Sequence, residues 1–291
     1  MHRPLAALAG SFFLSLAFQA SGVVIDSNDG TGNVTAPSPD PGWDYVGFRG
    51  GLTAVYLGDG WVLTANHVGA GDLTLGGSVY PYLPGTAVRL ENPDQSLADL
   101  LVFAIDPYPV MPSLPLVTSA PALGAELILI GNGRNRGSST SWDPNGPPPP
   151  GAILGYEWAS GKSMRWGKNQ VEDYEPSPVL GSFSFSSFFD SGVSVDEAQS
   201  ANGDSGGAAF VMEGSQWKLA GIIYAIGTYV DQPAATSLYG QITYSADLSV
   251  YREQILEIIA LPEPTVGLPA GTMLLLVLYA RRRHRQSSIV R

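Results

Sequence analysis

Apolar residues along the chain fall in short runs divided by Gly, Pro, Asp and Asn. Leu52–Leu57 and Gly60–Ala65 flank Gly58-Asp59-Gly60, and Asp-Gly between two such runs predicts a β-hairpin. Leu73–Leu75, Val79–Tyr82, Val88–Leu90 and Leu100–Ile105 keep the same rhythm, which predicts a closed sheet or sandwich rather than βαβ units. Pro107, Pro109, Pro112, Pro115 and Pro121 read as a link to a second β unit opening at Glu126–Ile130. Lys162–Val171, Val179–Asp190, Ala208–Met212 and Lys218–Ile226 are its further strands. Arg134–Gly151, with Asn145-Gly146 and Pro147–Pro150, predicts an exposed loop, stiff in its polyproline part. Helical spacing is confined to Ser249–Ala260, where Tyr251, Ile255, Ile258 and Ile259 share a face.

The ends read differently from the body. Residues 1–20 have a basic Arg3 and an apolar run from Leu5 to Phe18, the layout of a signal peptide. Ser15-Leu16-Ala17 and Ala20-Ser21-Gly22 both fit a small-x-small cleavage rule. Residues 21–44 are polar and turn-rich, an extended leader with little structure. Residues 45–115 and 116–260 are then expected as two β units, the second ending in the helix. Residues 261–291 hold Pro262-Glu263-Pro264, an apolar stretch of about 14 residues and a cluster of arginines. That stretch is short for a membrane span of about 20 residues, and its basic flank favours the cytoplasmic side.

Composition narrows the function. The chain is 44% hydrophobic and 14% charged, enough to bury a core, and its 35 Gly and 23 Pro favour an all-β chain rich in turns. Without the terminal segments the formal charge changes from −11 to about −16, a surface that repels nucleic acid. Cysteine is absent, so thiolate metal sites and thiol redox chemistry are excluded. His67 is the only histidine between the terminal segments, which excludes a histidine-rich metal centre, and no cofactor is expected.

One turn carries candidate chemistry: Asn202-Gly203-Asp204-Ser205-Gly206-Gly207. Its glycines permit backbone conformations closed to other residues and a close approach of substrate. Ser205 is a nucleophile only if a base takes its proton, and His67 is the one imidazole placed to do so. The N–H groups of Gly203 and Ser205 can face a developing oxyanion. The same residues satisfy the Gly-x-Ser-x-Gly elbow of α/β-hydrolases. That fold needs its histidine after the serine, and only His284, in the tail, follows. An acid must orient His67, and Asp94, Asp99 and Asp106 are candidates. Asp99 heads an apolar strand, where a carboxylate is costly unless paired.

Thr64-Ala65-Asn66-His67, Ala98-Asp99-Leu100-Leu101 and Gly203-Asp204-Ser205-Gly206-Gly207 together resemble the chymotrypsin-like (trypsin-fold) serine peptidases, in islands between Tyr45 and Ala260. The resemblance implies an all-β fold of two antiparallel β-barrels with a C-terminal helix. It also implies a Ser205–His67–Asp99 triad between the barrels, an oxyanion hole from Gly203 and Ser205, and a protein or peptide substrate. Asn66 departs from the family's usual small residue. Gln199 falls where trypsins hold an aspartate, and Gly221–Gly227 departs from the family's Ser-Trp-Gly. A pocket of Gln199, Tyr224 and Ile226 is therefore expected to take an uncharged residue. In the family the acid before the serine often pairs with a new α-amino group. For Asp204 the chain offers only Val23-Val24-Ile25 and Tyr45-Val46-Gly47 as weak substitutes for the usual start.

The tail resembles the PEP-CTERM sorting signal of Gram-negative bacteria. That resemblance implies an exosortase-type partner, membrane contact only through the targeting segments, and a place in the cell envelope or extracellular matrix. A catalytically silent adhesion module on the same fold and an esterase are the competing functions.

Overall fold

The computed structural model describes residues 22–27, 29–144, 146, 152–175 and 177–260; the terminal signal and tail lie outside them. The strands run in chain order as β1 (Val24–Ile25), β2 (Val46–Arg49), β3 (Leu52–Gly58), β4 (Trp61–Thr64), β5 (Leu73–Leu75), β6 (Ser78–Tyr80), β7 (Val88–Glu91), β8 (Leu97–Ala104) and β9 (Glu126–Gly131). They continue as β10 (Arg134–Trp142), β11 (Ile153–Lys162), β12 (Arg165–Gln170), β13 (Asp173–Tyr174), β14 (Ser184–Phe188), β15 (Ala198–Gln199), β16 (Ala208–Glu213), β17 (Gln216–Gly227), β18 (Thr236–Leu238) and β19 (Ile242–Asp247). One helix follows, α1 (Leu248–Ile259).

Two antiparallel β-barrels result. The first is ordered β6-β5-β2-β3-β4-β8-β7 and the second β12-β9-β16-β17-β19-β14-β13. The predicted hairpin joins β3 to β4, with Asp59 at φ 48° and Gly60 at φ 80°, the two left-handed residues that a tight hairpin turn requires. Strand residues alternate sides, so Val55, Leu57 and Leu63 enter one cluster while Ala54, Tyr56 and Val62 enter another. The first cluster continues through Leu114 and Leu116 to Ile128, Phe210 and Ile222, and the barrels share this wall.

Asp247 caps α1 by accepting a hydrogen bond from the Ser249 N–H at 2.9 Å. The helix buries Leu248, Tyr251, Ile255 and Ile258. It also reaches the first barrel, where Gln254 Nε2 donates to the Glu91 carbonyl at 2.6 Å and Tyr251 Oη donates to Asn92 Oδ1 at 2.5 Å.

Two stretches differ from the sequence reading. Arg134–Trp142, read as loop, is β10 and pairs along its length with β11. Its burial is partial, so no apolar run announces it. The leader read as having little structure begins with a buried strand: Val23, Val24 and Ile25 are inaccessible, and Val24 and Ile25 pair with Gln199 and Ala198.

Candidate active site

His67 sits just past the end of β4. Asn66 N–H donates to the Asp99 carbonyl at 3.1 Å, and Val68 N–H donates back to the Ala65 carbonyl at 3.0 Å. These bonds turn the chain sharply and bring His67 over β8, because Thr64 pairs with Leu101. Asp99 then engages His67 twice. Its Oδ1 accepts from the His67 backbone N–H at 2.9 Å, and its Oδ2 meets Nδ1 at 2.7 Å. The carboxylate is largely covered, with 14% of its side chain exposed against 44% for the imidazole. The hydrogen bond to Asp99 raises the His67 pKa above its ordinary 6.5, against an opposing effect of burial. With Nδ1 held by Asp99, Nε2 is the nitrogen left to accept a proton. Asp94 is occupied within its own turn, accepting from Ser96 N–H at 3.0 Å.

Ser205 is half-buried, on a turn bonded to both barrels. Thr53 N–H donates to the Ser205 carbonyl at 3.0 Å, and Gly206 N–H donates to the Ile223 carbonyl at 2.7 Å. Gly206, at φ 85°, leaves no room for a Cβ, which would overlap Thr53 O and Thr64 Oγ1. Thr64 Oγ1 in turn donates to Thr53 O at 2.8 Å. The serine turn therefore rests on Thr64, three residues before His67, and that contact carries the nucleophile motif to the base motif.

Asp204 N–H is used, donating to the Ala201 carbonyl at 3.0 Å. The N–H groups on either side, of Gly203 and Ser205, find no acceptor among the described residues. Gly203 lies at φ 112°, and its own carbonyl is turned back to accept from Thr53 Oγ1 at 3.0 Å. Two unengaged donors flanking one residue are a pair that a developing oxyanion can use.

The Asp204 side chain is fully buried. Its Oδ2 accepts from Ala201 N–H at 2.7 Å, whereas Oδ1 has no partner among the described residues. Burial pushes its pKa up to about 7. Gly131 is wedged between this carboxyl and Gly22: a Cβ on Gly131 would overlap Asp204 Oδ1, and one on Gly22 would overlap Gly131 O. Of the two candidate chain starts, Val23-Val24-Ile25 is thus the one linked to Asp204 through Gly22 and Gly131. Tyr45-Val46-Gly47 leads instead into β2, where Val46 and Gly47 pair with β3. Arg136 fastens the same segment, donating to the carbonyls of Ile25 at 2.9 Å and Asp26 at 2.8 Å.

Two of the three pocket residues adjoin β19, where Ile226 pairs with Thr243 and Gln199 bonds to Ile242 and Thr243. Gln199 is buried, with Nε2 donating to Ile242 O and Oε1 accepting from Thr243 Oγ1, both at 3.2 Å. Ile226 is half-buried. Tyr224 is buried and its hydroxyl donates to the Val179 carbonyl at 2.8 Å, so its polar end braces loop 179–183. That loop supplies Ser182, whose Oγ accepts from the Asp99 backbone N–H at 2.9 Å. Sequence reasoning missed Ser182; no motif marks a serine that acts on a strand of the other barrel.

Among the described residues no group of three His, Asp or Glu side chains is placed to hold a metal, and no helix is long and apolar enough to cross a membrane.

No protein-family model and no curated protein matches the sequence. Solved structures do match in shape. Neuropsin, a serine protease expressed in the limbic system of mouse brain, is similar with a TM-score of 0.51 and 17% identity, over 77% of this chain and 97% of its own. Kallikrein-related peptidase 10 gives 0.49 and 16%, over 75% and 97%. Rv3671c from M. tuberculosis, in an inactive form, gives 0.44 and 16%, over 80% and 100%. At such identities the likeness defines the fold alone. The fold is the chymotrypsin-like double β-barrel with a C-terminal helix.

Proposed function

We propose that the protein is an exported serine endopeptidase in which Ser205, His67 and Asp99 form the triad. The observation that carries this reading is the two-point hold of Asp99 on His67 beside a serine turn seated on Thr64. Ser205 Oγ bonds to the scissile carbonyl carbon as its proton passes to His67 Nε2. The carbonyl electrons move onto oxygen, which accepts from the Gly203 and Ser205 N–H groups. His67 returns the proton to the departing amine as the C–N bond breaks, leaving an ester on Ser205. Water, deprotonated by His67, then cleaves the ester and the proton goes back to Oγ. Gln199 places no charge in the pocket region, which favours an uncharged residue on the acyl side.

The terminal segments are read as addresses. The signal segment is read as removed after Ala20-Ser21-Gly22, which would free the α-amino group of Val23 on the far side of Gly131 from the buried Asp204. The tail is read as a PEP-CTERM-type signal, processed by an exosortase-type enzyme during transport from a Gram-negative cell to its envelope or matrix.

A fluorophosphonate probe tests the chemistry. We expect the folded chain to be labelled at Ser205 and the Ser205→Ala variant to remain unlabelled. A native fold by circular dichroism without label would leave an adhesion module as the better reading. Turnover of esters but not peptides would instead favour an esterase.

A further inference from the structure

The body is acidic, yet two of its few cations face each other. Arg134 of β10 pairs directly with Lys162 of β11, an arrangement of like charges that weakens a sheet. None of the four ion pairs among the described residues includes either side chain. Burial and the Arg134 charge lower the Lys162 pKa below its ordinary 10.5, with Asp204 opposing.

Their position gives the arrangement a use. Lys162 Nζ donates to the Gly51 carbonyl at 2.7 Å, in the turn between β2 and β3. It also lies 2.7 Å from where a Cβ on Gly203 would stand. Arg134 N–H donates to the Asn202 carbonyl at 3.0 Å. The cations thus border the oxyanion residue and span from one barrel to the other. Loop 179–183 lies against Asp99 instead and is joined to β17 through Tyr224. The expected pocket residues Gln199 and Ile226 adjoin β19 and β17, so the acyl part of a substrate is assigned to that side. The leaving amine is then assigned to the side of Gly51 and Lys162, which borders Gly203.

We propose that Lys162 and Arg134 form a cationic subsite selecting peptides with aspartate or glutamate within two residues after the scissile bond. The inference rests on the peptidase reading above. A carboxylate there meets an ammonium with protons free for charge-assisted hydrogen bonds, and it offsets the repulsion between the two cations. It also gives an acidic protein a local means to accept an acidic substrate, which its overall charge repels.

Quenched fluorescent peptides differing only in Glu, Gln or Lys at the first or second position after the cleaved bond test it. We expect Glu to exceed Gln about tenfold in kcat/KM, as for one hydrogen bond between charged groups, with the ratio shrinking as salt rises. Lys162→Met should bring the ratio close to one, and Lys162→Glu should turn the preference to Lys. Arg134→Met serves if the first variant does not fold. An unchanged Glu/Gln ratio overturns the subsite. So does an equal slowing of all peptides, which assigns Lys162 to support of Gly203 or Asp204 instead. If no peptide is cleaved, the peptidase reading fails, and fluorescence anisotropy of the same peptides on Ser205→Ala decides the subsite alone. Tighter Glu binding that Lys162→Met removes supports it, and equal binding of Glu and Gln overturns it.

Discussion

The buried carboxyl of Asp204 makes stability depend on pH in a direction set by where the chain begins. Consider first a chain extended ahead of Val23. Burial holds the carboxyl at about 7 in the folded state against 3.8 for an ordinary aspartate. An acid with a raised pKa contributes stability in full below its unfolded pKa, and loses it as pH rises through the folded one. The extended chain should therefore lose stability between pH 4 and pH 7 and hold level above. The rise from 3.8 to about 7 is equivalent to about 4 kcal/mol, a large share of a domain's stability. Now let the chain begin at Val23. Its α-amino group, ordinarily at about 7.7–8.0, would follow the position where Gly22 packs on Gly131, the residue that abuts Asp204 Oδ1. A cation there favours the ionised carboxylate and pulls its pKa down, while the amine's pKa rises. The sign reverses: stability is gained as pH climbs through about 4, and it is lost only when the amine deprotonates. The assay is urea unfolding from pH 4 to 9 on two forms, one released at Val23 by a site-specific protease and one with two extra residues. Both carry Ser205→Ala to prevent self-cleavage. Asp204→Asn, neutral at every pH, should remove the difference between the two profiles, leaving in both the fall set by buried Glu197, itself raised to about 7. Parallel losses from pH 4 to 7 in the two forms would refute the pairing. Profiles unaffected by Asp204→Asn would refute the burial argument beneath it.

Asp99→Asn should lower kcat by about 10⁴, as when an imidazole is left in the wrong tautomer. Because the wild-type His67 pKa is raised by Asp99, the acid limb of kcat/KM should lie above pH 6.5 and move lower in the variant; an unmoved limb counts against this assignment. Ser182→Ala leaves the Asp99 N–H without its acceptor, and should cut kcat several-fold with little change in KM; a change in KM alone would make Ser182 a substrate contact instead. Gly206→Ala combines a left-handed backbone with overlap onto Thr53 and Thr64, and should destabilise by about 3 kcal/mol or more in urea unfolding. Gln199→Asp should turn acyl-side preference toward Lys and Arg while removing the donor to Ile242; an unchanged cleavage profile would move the pocket away from residue 199.

Strands with an apolar inner face were legible because burial and sequence alternation coincide. The inner residues of β3, β4 and β8, among them Val55, Leu63 and Val102, are of this kind. β19 was not legible, since its buried positions include Thr243 and Ser245, polar groups that a hydrophobic count passes over. The β10–β11 hairpin was hidden for another reason: only Asn135 of β10 is buried, and Arg136 ties the hairpin to residues 25 and 26, far away in the chain. The candidate site divides along the same line. His67, Asp99 and Ser205 sit in local motifs, where main-chain turns do most of the placing, so a short window of sequence suffices to find them. Ser182 and Lys162 meet groups that the fold brings across from elsewhere, the Asp99 N–H and the Gly51 carbonyl, and Gly22, ahead of Val23, packs on Gly131 beside the Asp204 carboxyl. Such residues show instead as rules broken in the folded chain: a buried carboxyl oxygen without a donor, and two cations opposed across a ladder. Each breach is a local loss of stability, so each points to the group that would remove it, an α-amino terminus in the first case and an acidic substrate in the second.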